Sequence, residues 1–123
     1  MIVAGFGFRQ GATLQSIEDA LALAQQFSPR VTLLATAADK AVSPEMARLA
    51  AVLGLPLTGV SGQVLARIAT PTRSEASLAS HGTGSVAEAS ALAAAGPGAQ
   101  LIAMRHISPD RMATCAIAQG LTP

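Results

Sequence analysis

Tryptophan and tyrosine are absent from the chain, and Phe6, Phe8 and Phe27 are its only phenylalanines. A base-stacking platform for single-stranded nucleic acid is therefore not expected. Charge is scarce too: eight Lys and Arg side chains stand against seven Asp and Glu, for a formal net charge of +1. Nucleic-acid binding needs a basic stripe, and no such cluster is present. Cys115 is the single cysteine, which excludes an intrachain disulfide and a multi-cysteine zinc site. Its flanks, Ala113-Thr114 and Ala116-Ile117-Ala118, read as a packed strand, so the thiol is expected to be buried and inert. His81 and His106 show no metal-ligand spacing, and no metal is expected. Apolar runs such as Leu92-Ala93-Ala94-Ala95 stop well short of the roughly 20 residues that span a bilayer. Met1 leads directly into a strand-like run with no basic segment before it. A cytoplasmic protein without a membrane partner is the expectation.

What is present is half hydrophobic, over 123 residues, enough for one domain over residues 1–123 with a proper core. Met1-Ile2-Val3-Ala4 is an apolar strand that runs into Gly5-Phe6-Gly7-Phe8-Arg9-Gln10-Gly11-Ala12-Thr13. A helix from about Leu14 to Phe27 follows, with Thr13 as N-cap and Leu14, Ile17, Leu21 and Ala24 at helical spacing. Val31 to Thr36 reads as a strand buried on both faces, and Ala37 to Lys40 as the loop at its carboxyl end. Ser43, Pro44 and Glu45 open a helix that Gly54 closes. Leu55 to Val60 is a weaker strand, placed by Pro56 at a strand start or a sheet edge. Ser61 caps a short helix, Thr70 to Ser74 is a loop, and Glu75 to Ser80 has one or two helical turns. His81-Gly82-Thr83-Gly84 is a second glycine-rich turn, followed by Ser85 and Glu88 as a capping box for a helix ending near Ala95. Gln100 to Arg105 and Met112 to Ala118 form a hairpin across Ser108-Pro109-Asp110. The fold class is α/β: a three-layer sandwich with a mostly parallel sheet and a C-terminal antiparallel hairpin.

Function in such a fold sits at the carboxyl ends of the strands. Gly5-x-Gly7 matches half of a dinucleotide fingerprint, but Gln10 stands where the third glycine belongs, and Gln25 and Gln26 where the ribose-binding acid belongs. Nicotinamide dinucleotides are disfavoured, and no cofactor is expected. Two readings of the loop stand: a tight turn alone, or an anion cradle built from backbone N–H groups and the following helix start. Asp39 and Lys40 are either a solvated pair or the ligand contacts of their strand end, and Asp39 is the best-placed acid–base group. His81 is either a surface histidine at a helix entry or a group that titrates near neutrality. Arg105 and His106 end a strand and either add positive charge to a ligand surface or face solvent.

Taken in order, Gly5 to Thr13, Leu34-Ala35-Thr36 with Asp39-Lys40, Leu53-Gly54-Leu55-Pro56-Leu57, Gly84 to Ala89, and Thr114 to Ala118 resemble the CobE family of cobalamin biosynthesis. The same family forms the carboxyl-terminal domain of CbiG proteins. Two departures stand out: Phe8 replaces a cysteine common before the arginine, and Arg105 replaces a lysine. The resemblance implies an α/β fold and a role in building the corrin ring. The partner it implies is a corrinoid or precorrin intermediate, together with other cobalamin-biosynthesis enzymes. Gly5, Gly7, Arg9, Gln10 and Gly11 would form the ligand surface with Thr36, Lys40, Gly84, Ser85 and Arg105. Phe6 or Phe8 would touch the macrocycle face. CbiG proteins open a lactone on a cobalt-precorrin. The alternative to a binder or carrier is thus a precorrin hydrolase with Asp39 or His81 as acid–base group, and a third reading is an accessory interaction module.

Overall fold

The structure is a computed structural model and describes residues 1–121. The chain opens with β1 (Ile2–Phe8), crosses through α1 (Leu14–Ala24) to β2 (Leu33–Ala37), and passes through α2 (Ala38–Ala41) and α3 (Pro44–Leu53) to β3 (Leu57–Val60). Three further helices follow, α4 (Gly62–Arg67), α5 (Glu75–His81) and α6 (Val86–Ala95), before β4 (Gln100–Ile107) and β5 (Ala113–Gln119). The sheet order is β3-β2-β1-β5-β4. β1 pairs parallel with β2, and β2 with β3, while β5 pairs antiparallel with both β1 and β4.

The expected hairpin is therefore present, but the sheet is mixed, with as many antiparallel pairings as parallel ones. The cause lies in β5. A tight turn from β4 forces it to run against its neighbours, and its buried run Cys115 to Ala118 demands cover on both faces. It lies between β1 and β4, as an inner strand.

Alternation along β1 sorts the two faces. Ile2, Ala4 and Phe6 join Ile17, Leu21, Met46 and Leu49 of α1 and α3 in the larger core cluster. Val3 faces the other way, with Ala91 and Ala95 of α6. That second face is packed with small residues. Helix α6 is buried around most of its circumference, which its alanine-rich sequence permits. Gly5 is the reason it can lie so close. A Cβ there would collide with the Ala87 carbonyl oxygen and lie 2.6 Å from the Ala91 nitrogen.

Local signals explain most element ends. Thr13 caps α1 by accepting from the Ser16 N–H, and the Ser16 hydroxyl accepts from the Thr13 N–H, each at 3.1 Å. Helix α1 ends at Ala24, short of Phe27, which is 99% exposed and offers no packing to extend it. Ser43 caps α3 and Gly54 closes it at φ 66°. The expected loop after β2 winds into the single turn α2. Pro56 precedes β3, which forms one sheet edge. Cys115 is fully buried, and burial pushes its thiol up, away from the reactive thiolate. No helix among the described residues is long and apolar enough to cross a membrane.

The β4–β5 turn is tied to α1 by Asp110. Its Oδ2 accepts the Ser16 hydroxyl at 2.5 Å; its Oδ1 accepts the Ser108 hydroxyl at 2.6 Å and the Met112 N–H at 3.1 Å. The first turn of α1 has no acidic residue of its own, so Asp110 supplies the anion that its positive end favours.

Two outcomes are expected. Gly5→Ala lowers unfolding stability by about 3 kcal/mol in urea titrations, because α6 must lift from the sheet. Asp110 is held below its ordinary 3.8 by Ser108 first, then Ser16 and the Met112 N–H. Its stabilising effect is complete above that ordinary value and fades as pH falls through the lower folded value. The melting-temperature gap between wild type and Asp110→Ala therefore narrows in strong acid; a gap that stays constant with pH contradicts this.

Candidate functional site

Strands β1, β2 and β4 all point the same way, so Phe8, Ala37 and Ile107 finish at one rim of the sheet. Helix α5 lies beside that rim. Between them is a cavity of about 460 Å³, within the range of small-molecule sites. The lining is rich in cations, with Arg9 after β1, Lys40 on α2, Arg105 on β4 and Arg111 on the β4–β5 turn. Half of the eight Lys and Arg residues line this space, against one of the seven acids, Asp39. Helix α5 and its N-cap add Ser74, Ser77 and Ser80 to the lining, at three-residue spacing. Gly7, Phe8, Val86 and Thr114 close the floor.

The single acid is already engaged. The Asp39 oxygens lie 2.9 and 3.1 Å from Nε2 of His81, and Nδ1 of His81 lies 2.8 Å from the Ser80 hydroxyl. A carboxylate can only accept, so Nε2 carries a proton, and in the neutral ring Nδ1 accepts from Ser80. The His81 side chain is 14% exposed and Asp39 63%. Among the described residues no group of three or more His, Cys, Asp or Glu is gathered as a metal ion would require. The four cations have no carboxylate partner among the described residues; Lys40 instead sits 5.2 Å from the Phe8 ring centroid.

Glu88 organises the rim from beneath. It is fully buried on α6. Its Oε1 accepts the Thr72 N–H at 3.1 Å and the Thr72 hydroxyl at 2.7 Å, and its Oε2 accepts the Arg105 N–H at 2.9 Å. The Ser85–Glu88 capping box is therefore only half formed. Ser85 accepts from the Glu88 N–H at 3.2 Å, but the Glu88 side chain turns to the Thr70–Arg73 segment and to β4. A register shift in β4 between Ala103 and His106 frees the Arg105 N–H for this bond.

Of the residues singled out in the sequence, Gly7, Arg9, Asp39, Lys40, His81 and Arg105 meet at the cavity. Others do not reach it. Gly5 lies under α6, where its missing Cβ serves packing. Thr36 is fully buried and donates to the Phe6 carbonyl at 2.8 Å. Gly84 abuts the Thr72 carbonyl, and Ser85 is a buried cap. Gln10 and Gly11 are exposed on the turn outside the lining. Phe6 is a core residue, and Phe8 packs against the same core while also lining the cavity. The α1 start is closed by its own cap and by Asp110. Anion binding at this rim therefore falls to side chains. Arg111, Thr114 and the three serines escaped sequence reading. Strand direction is the signal that finds Arg111, since a hairpin leaving β4 must turn at the rim where β1 ends.

The family model described as cobalamin synthesis G C-terminus matches residues 2–118. No curated protein matches the sequence. Among solved structures, the chain is similar to CobE, a protein from the cobalamin (vitamin B12) biosynthetic pathway, at 29% identity and a TM-score of 0.85, covering 100% of this chain and 92% of that one. It is also similar to cobalamin biosynthesis protein chiG from Agrobacterium tumefaciens str. C58, at 38% identity and a TM-score of 0.75, covering 98% and 99%. A candidate cobalamin biosynthesis protein G homolog from Sulfolobus solfataricus shares the fold at 22% identity and a TM-score of 0.70; the chain covers 36% of that protein and 95% of its own length is matched.

Glu88→Gln turns an amide NH₂ toward a buried donor whichever way it is oriented. A loss of about 1–3 kcal/mol is expected, with amide exchange at Thr72 and Arg105 rising more than at the β1–β5 pairs. Unchanged exchange at both would show that Glu88 does not hold the rim.

Proposed function

The chain belongs to the family of the cobalamin synthesis G C-terminus, and from that premise we propose that it binds a polycarboxylate corrinoid intermediate by its acid arms. The observation that carries this reading is the concentration of Arg9, Lys40, Arg105 and Arg111 around one cavity whose only acid is held by His81. Corrin precursors carry many acetate and propionate groups around an apolar plane. The cavity suits one edge of such a ligand: its carboxylates meet guanidinium and ammonium groups, the Ser74 and Ser77 hydroxyls add donors, and Phe8 offers an apolar surface. Exposed ion pairs contribute little singly, so several must act together with shape. Binding of this kind suits a carrier that hands its ligand to another cobalamin-biosynthesis enzyme.

A second reading rests on the chain of hydrogen bonds from Ser80 through His81 to Asp39. A hydroxyl bonded to an imidazole that a carboxylate orients is the arrangement of an activated nucleophile or a relayed base. In that reading the protein hydrolyses a precorrin, with His81 as the base.

Titration with hydrogenobyrinic acid, followed by absorbance, separates the two. The expected result is a stoichiometric spectral shift without conversion and a Kd that rises with salt. Arg9→Ala weakens binding about tenfold at an unchanged melting temperature. Conversion of a precorrin lactone that is lost in both Ser80→Ala and Asp39→Asn supports the enzyme instead. Absence of any spectral shift with the acid argues against the binder.

A further inference from the structure

We infer that Arg111 is a pre-set carboxylate grip, fixed in position by a clamp that Asp110 forms around the β4–β5 turn. The inference deepens the corrinoid reading by assigning it a recognition residue, and it rests on that reading only for the identity of the natural ligand.

Arg111 is the only residue other than glycine with a positive φ among those described, at 62°. Side chains disfavour this region, and glycine would occupy it freely. The conformation persists because the turn is over-determined. The Arg111 N–H donates to the Ser108 carbonyl at 2.8 Å. Asp110 accepts from Ser108, Met112 and Ser16, so the backbone on both sides of Arg111 is pinned to the turn and to α1. The Arg9 N–H donates to the Met112 carbonyl at 2.9 Å, which ties the turn to the end of β1.

A disfavoured conformation held this firmly at a cavity wall points to a role for the side chain it presents. Arg111 lines the cavity and has no carboxylate partner among the described residues. Asp110, its neighbour in sequence, makes no ion pair with it and directs its oxygens to Ser16, Ser108 and Met112. The planar fork of an arginine binds a carboxylate through two parallel hydrogen bonds, and a fixed backbone removes part of the ordering that binding otherwise requires. Asp110 acts through Arg111 and is a positioning residue.

Citrate serves as a polycarboxylate probe, with affinity read by calorimetry and folding by melting temperature. Arg111→Gly is expected to raise the citrate Kd about fivefold or more while the melting temperature stays level or rises. Arg111→Asn, which also tolerates the left-handed region, repeats the test should the glycine variant fold poorly. Arg111→Lys falls between, keeping charge but losing the fork. Asp110→Ala weakens citrate binding in the wild-type background and adds nothing in Arg111→Gly, the non-additivity that positioning requires. Equal citrate affinity in wild type and Arg111→Gly overturns the inference, and so does a wild type that does not bind citrate. Citrate binding that depends on Arg111, without binding of hydrogenobyrinic acid, keeps the grip and discards the corrinoid reading. Hydrogenobyrinic acid and citrate both bound equally by wild type and Arg111→Gly discard the grip alone.

Discussion

The structure depends on how closely α6 lies against β1. Gly5 removes the one side chain that would hold the helix off the sheet, and the Ala and Ser residues of α6 complete a contact built from backbone as much as side chain. Small residues bury little apolar area each, so this face gains from close approach and dispersion where the opposite face gains from larger side chains such as Phe6, Leu34 and Met46. The depth of that seat has a functional result. It carries Glu88 low enough to reach Thr72 on one side and Arg105 on the other, so a packing constraint in the core becomes a positional constraint at the rim.

Charge follows the same logic. The net charge of +1 conceals a separation: the acids are dispersed over the helices and turns, and half of the basic residues gather at one cavity. The acids around this region are each committed, Glu88 to Thr72 and the Arg105 N–H. Asp39 bonds His81, and Asp110 bonds two serine hydroxyls and a backbone N–H. None cancels the cations directly, and the rim keeps a positive surface without a basic run in the sequence.

Strand and helix identity were legible because they rest on local signals. Ser43, Pro44 and Gly54 bound α3, and Thr13 opens α1. The candidate site was legible as far as element ends reveal it, in Arg9, Asp39, Lys40 and Arg105 near strand ends and His81 at the end of α5, all of which line the cavity. Other residues were misplaced or missed for physical reasons. Gly5 and Thr36 lie at strand ends in the sequence, but one serves helix packing and the other an inter-strand hydrogen bond, and only tertiary structure distinguishes these uses from ligand contact. Glu88 satisfied a local capping pattern, yet partners from distant segments competed for its carboxylate and won. Arg111 could be found only from the direction of β4, because sequence alone does not tell which end of a sheet a hairpin turn occupies.

The inner position of β5 has a consequence for how the molecule assembles. It is the last of the five strands to leave the ribosome, yet β1 waits for it on one side and β4 on the other. Until residues 113–119 emerge, two strands present unpaired edges and the Val3 and Ala4 neighbourhood lacks one neighbour. Non-local pairing of this kind slows folding and leaves the nascent chain open to mispairing. Synthesis from one end and sheet closure from the middle are thus out of step, and the final seven-residue strand acts as a keystone for everything made before it.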